Sequence, residues 1–60
     1  MRLRLARKLH NRDQVEVRVA PNTWVIGYVL GESHEENGKL NIPVEVEGHG
    51  YMVVKHTDIR

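Results

Sequence analysis

Histidine and carboxylate side chains are the groups in this chain best suited to chemistry. They concentrate in one polar stretch, where Glu32, Ser33, His34, Glu35 and Glu36 follow one another. With His49 and His56 they make an imidazole and carboxylate set of the kind that suits transition metals. The spacing matches no ligand pattern, however, and His34, His49 and His56 all fall in segments expected to be loops or turns, so they are expected to be surface histidines. Ser33 beside His34 is no triad signal, because a triad is assembled from distant parts of a fold. The acids from Glu32 to Glu36 are expected to form a solvated face. The absence of Cys removes thiolate ligands and cysteine nucleophiles. A non-catalytic protein is expected, with no catalytic residue, no metal site and no cofactor.

Cations and aromatic rings offer a different chemistry. The net charge of +1 conceals a split: Arg2, Arg4, Arg7, Lys8 and Arg12 place five of the nine basic residues in the first twelve positions, with no acid among them. That segment carries +5 and the remainder −4. A basic arm on an acidic body is where polyanions would dock. Arg18, Lys39, Lys55 and Arg60 could add phosphate contacts, and Trp24, Tyr28 and Tyr51, the only aromatic residues, could offer stacking surfaces.

These groups must be positioned by strands. Val15, Val17 and Val19 alternate with Glu16 and Arg18, the pattern breaks at Ala20-Pro21-Asn22-Thr23, and a β-branched and aromatic run resumes from Trp24 to Leu30. That is strand, turn, strand. Val25, Gly27 and Val29 take one face of the second strand; Trp24, Ile26, Tyr28 and Leu30 take the other. Asn37-Gly38 is a strong hairpin signal. Leu40, Ile42, Val44 and Val46 alternate with Asn41, Pro43, Glu45 and Glu47 as a third strand, in which Pro43, lacking a donor, is expected at an edge or a bulge. Gly48-His49-Gly50 turns into a fourth strand, Tyr51 to Lys55. A short turn at His56-Thr57-Asp58, for which 3₁₀ is one geometry, lets Ile59 re-enter a sheet. The pattern predicts an all-β, five-stranded antiparallel barrel over residues 13–60, with Val15, Val17, Val29, Val44, Val46 and Ile59 in its core. Residues 1–12 form the basic N-terminal arm, where two conformations compete: Leu5 and Leu9 would share a helix face, whereas Leu3 and Leu5 alternate with Arg2 and Arg4 as in a strand.

Sixty residues make one small domain with limited burial. A homo-oligomer is expected, with part of the Trp24, Ile26, Tyr28 and Leu30 face at an interface. No apolar run approaches the roughly 20 residues of a membrane span, and the N-terminal residues lack the apolar core of a secretory signal. A soluble protein of the cytoplasm, or of the nucleus in a eukaryotic cell, is expected.

The order of Asp13, Val15, Val17 and Arg18, then Trp24, Gly27 and Val29, then Val44, Glu45 and Val46, then Asp58, Ile59 and Arg60 resembles the SH3-like small β-barrels, and among them most closely the Tudor and Agenet domains. The resemblance covers residues 13–60. It implies a binding module, often one that reads methylated Lys or Arg through an aromatic cage. Here only Trp24, Tyr28 and Tyr51 could contribute to a cage; the alternative is that these rings fill the core. The chain also resembles the plasmid-type dihydrofolate reductases, tetrameric barrels with a central pore lined by a Val-Gln-Ile-Tyr segment. Tyr51-Met52-Val53-Val54-Lys55 stands there instead, without the Gln or the Ile-Tyr, so cofactor and substrate roles do not carry over.

Three classes follow: a nucleic-acid-associated module using Arg2, Arg4, Arg7, Lys8, Arg12, Arg18 and Lys55; a small protein-interaction regulator; and an oligomeric enzyme on the same barrel. Salt dependence separates the first two, and a homotetramer with a central pore would mark the third.

Overall fold

The alternation that begins at Val15 becomes a hairpin. A computed structural model covering residues 1–60 folds Gln14–Ala20 as β1 and Thr23–Val29 as β2, joined by a turn at Pro21 and Asn22. They pair antiparallel with Val15 opposite Gly27 and Val17 opposite Val25, and the register slips between Arg18 and Ala20 just before the turn. His34–Glu36 forms β3, Lys39–Val46 β4 and Gly50–Lys55 β5. The result is one antiparallel sheet of five strands. Strand β4 lies at its centre, with β2 and then β3 along one edge and β5 along the other.

The fifth strand differs from expectation. It is β3, inside the polar stretch, and all of its residues are exposed. With no buried face it has no period-2 signal; it forms because Asn37 and Gly38, at φ 53° and 75°, make the tight turn that lays His34–Glu36 along Lys39–Asn41. Ile59 forms only a single antiparallel bridge with Val17, after a 3₁₀ turn at His56–Asp58. Reciprocal backbone bonds between Glu16 and Arg60, 2.9 and 3.0 Å, flank that bridge. β1 and β5 do not pair, so the sheet is not closed.

Pro43 is also placed differently: it stands in the most heavily paired strand. Its carbonyl accepts the Leu30 N–H at 2.9 Å. Its missing donor therefore points to the side where β2 has ended and β3 has not begun, so no ladder bond is lost.

Val15, Val17, Val29, Val44, Val46 and Ile59 are all buried, and Leu40, Ile42, Val54 and Ala6 complete the core. Ala6 belongs to α1, a single turn at Leu3–Ala6. So short a helix has no stability alone. It forms because Leu3, Ala6 and Leu9 repeat every third residue and dock with Met1 on the sheet, leaving Leu5 half exposed. Leu5 and Leu9 therefore do not share a buried face. No helix is long and apolar enough to cross a membrane.

Gly27 is buried where β1, β2 and β4 meet. A Cβ there would stand 3.2 Å from both the Glu45 carbonyl oxygen and the Val17 Cγ2. One is ladder backbone and the other is fully buried, so neither yields easily. Gly27→Ala should therefore lower the unfolding free energy by about 1–3 kcal/mol, read as a lower urea midpoint at unchanged slope.

Candidate binding surfaces

The nine basic side chains divide by pairing. Arg7 holds Glu35 through Nε and Nη2 at 3.0–3.1 Å. Arg18 holds Asp58 at 2.7 and 3.1 Å, and Arg60 holds Glu16 at 3.2 Å. Arg2, Arg4, Lys8, Arg12, Lys39 and Lys55 pair with no carboxylate. Four of these six lie in residues 1–12, on a segment whose apolar side is docked. Arg4 and Lys8 are exposed, as is Arg2 just before α1. Arg12 is held in the left-handed region at φ 76°, its N–H bonded to the Val29 carbonyl at 2.6 Å. A β-carbon is unfavourable there. On the other side of the charge balance, Glu32, Glu36, Glu45 and Glu47 have no cationic partner.

The aromatic rings do not fill the core. Trp24 is half-buried on the outer face of β2, and the Arg60 guanidinium lies 4.1 Å from its ring centre, with that of Arg18 at 5.6 Å. Trp24 is thus engaged in holding the C-terminal residues against β1. Tyr28 and Tyr51 are exposed. They occupy one cross-strand row, on either side of Glu45. Trp24 is four residues from Tyr28, about 13 Å along the strand, with Ile26 between, so the three rings do not converge on one point.

The next row of the outer face holds Leu30, Pro43 and Val53. Leu30 and Val53 are exposed and Pro43 half-buried. With Tyr28 and Tyr51 they form an apolar patch around Glu45. Pro43 sits at the polar parity of β4 with Glu45, as its alternation with Val44 and Ile42 predicts, and Val53 at the polar parity of β5, beside Tyr51.

His34 and His49 are exposed, but His56 is not a surface residue. It is buried, and its Nδ1 accepts the backbone N–H of Leu40 at 3.1 Å. That amide faces the end of β5, where no strand remains to accept it. The ring therefore completes the ladder, with its proton on Nε2. No three His, Asp or Glu side chains gather as a metal site would need. An open cleft of about 400 Å³ is lined by Arg7, Leu9, Glu32, Ser33, Glu35 and Leu40; the Arg7–Glu35 pair spans it.

Comparison with protein-family models, with curated proteins and with solved structures gives no match to this chain.

The role of His56 is open to measurement. His56→Leu keeps the apolar bulk and removes the acceptor, leaving a buried N–H unsatisfied at a cost of about 1–3 kcal/mol. The expected result is a lower denaturation midpoint together with faster hydrogen exchange at the Leu40 amide.

Proposed function

We propose that this chain is a non-catalytic binding module, an SH3-like barrel of the Tudor and Agenet kind, that associates with nucleic acid through its N-terminal cations. The observation that carries the reading is the distribution of unpaired charge: Arg2, Arg4, Lys8 and Arg12 are free of carboxylates on a segment anchored by Leu3, Ala6 and Leu9. Anchored cations lose less conformational freedom on meeting phosphates than cations on a mobile tail. Arg7 and Arg18, held by Glu35 and Asp58, contribute less. The element order, ending in a 3₁₀ turn and a bridge to β1, supports the barrel assignment. The unpaired acids Glu45 and Glu47 disfavour phosphate on the outer sheet face, which leaves the N-terminal segment as the approach side.

A second reading, a protein-interaction regulator, is favoured by the apolar patch of Tyr28, Leu30, Tyr51 and Val53.

Fluorescence anisotropy with labelled duplex and single strands over a salt series tests the first. Four neutralised phosphates give a log–log salt slope of roughly −3 to −4. Arg12→Gly should flatten the slope by about one unit while leaving stability unchanged or raised by up to about 1 kcal/mol, because the left-handed backbone no longer carries a β-carbon. Point substitutions are the right probe, because deleting residues 1–10 would also remove Ala6 from the core. Absence of binding to DNA and RNA at about 50 mM salt, where electrostatic attraction is exaggerated, would sink the reading.

A further inference from the structure

Strand β5 leaves one edge open. In its antiparallel pairing with β4, Pro43 lies opposite Val53. Because Pro43 directs its carbonyl to Leu30 on the far side, that pair exchanges no bonds. Tyr51, Val53 and Lys55 therefore turn their N–H and C=O groups away from β4, while Met52 and Val54 turn theirs toward it. No strand pairs with that outer edge, and no backbone bond from elsewhere reaches residues 50–55. The side chains of Tyr51, Val53 and Lys55 are exposed beside it, Tyr51 at 64% and Val53 at 56%. Of the devices that block edge pairing, the edge carries only a charge at its end, Lys55, and no proline, bulge or inward charge.

We propose that a second copy of this chain occupies that edge, β5 against β5, antiparallel and centred on Val53. Only residues whose polar groups face outward can exchange bonds, so Tyr51, Val53 and Lys55 must meet Tyr51, Val53 or Lys55. Centring on Val53 uses all three: Val53 meets Val53 and each Tyr51 meets Lys55, with two bonds per pair. Centring on Lys55 would oppose two ammonium groups, centring on Tyr51 would run out of strand at Gly50, and centring on Met52 or Val54 would leave Lys55 or Tyr51 without a partner in the strand.

Charge complementarity identifies the occupant. Within one chain Lys55 and Glu45 are both exposed and unpaired. Glu45 lies in the row of Tyr51. The two-fold axis brings Lys55 of the second copy into that row, beside the Tyr51 ring and two strand spacings, about 10 Å of backbone, from Glu45. The two side chains together span that distance, and the pair forms twice. The row of Leu30, Pro43 and Val53 also becomes continuous with its symmetry mate across the axis.

Sedimentation equilibrium of the full chain tests this. The expected result is a dimer at about 0.1 mM. Val53→Lys opposes two like charges at the axis and should weaken association at least about tenfold, with an unchanged circular dichroism spectrum because the position is exposed. Lys55→Glu should weaken association, and the double variant Lys55→Glu with Glu45→Lys should recover it to within about threefold of the parent. A parent chain that stays monomeric, a Val53→Lys variant that dimerises as well as the parent, or a double variant that fails to recover would each overturn the proposal.

Discussion

Everything in this molecule depends on β4 being paired along both edges at once. Leu40, Ile42, Val44 and Val46 bury one face of it, and its backbone reaches β2 and β3 on one side and β5 on the other. A strand so used permits little variation. Where β2 crosses it most closely, Gly27 omits its side chain against the Glu45 carbonyl. Where β2 gives way to β3, Pro43 omits its donor without loss. Beyond the end of β5, the His56 ring replaces the missing neighbour of Leu40. Gly27, Pro43 and His56 each answer a local condition set by that double pairing.

A second constraint is the size of the core. Its ten buried apolar residues include only one from outside the sheet and its bridge, Ala6. The N-terminal segment is thus part of the folded body, even though all its acidic and basic side chains are basic through Arg12. Docking Leu3 and Leu9 closes one end of the apolar face and fixes the cations outside it. The same burial that stabilises the sheet therefore orders the charged surface.

The core was largely legible in the sequence, because period-2 alternation on β1 and β4 separates buried from exposed positions, whereas β2 is apolar on both faces and Trp24, Val25 and Ile26 are all half-buried. Val15, Val17, Val44 and Val46 follow it, Val29 lies on the inner parity of β2, and Ile59 is legible instead from the short turn at residues 56–58 that returns the chain to the sheet. What escaped had no periodic signal. β3 has no buried face, the helical turn at Leu3–Ala6 is too short for helix periodicity to outweigh strand alternation, and His56 is polar in a segment that resembles a turn. The rings are a different case: they offered either a cage or core filling, and because the inner positions of β2 are Val25, Gly27 and Val29, Trp24 and Tyr28 take the outer face.

Pairing also changes what the charges mean. Counted along the chain, five N-terminal cations stand against an acidic remainder. In the fold, Glu16 and Asp58 are taken up by Arg60 and Arg18, which clasp Trp24 between β1 and the C-terminal residues. Exposed pairs of this kind contribute at most about 1 kcal/mol each, and a cation over an indole a similar amount. Their value lies in location: they cover the seam where β1 and the C-terminal residues share one bridge and the backbone bonds beside it. Charges consumed there are unavailable to a ligand. Of the six cations left over, four fall on the N-terminal segment, whereas Lys39 and Lys55 share the β3 hairpin and the outer sheet face with the unpaired acids, so the surface is polarised mainly by the excess of cations that the fold leaves on residues 1–12.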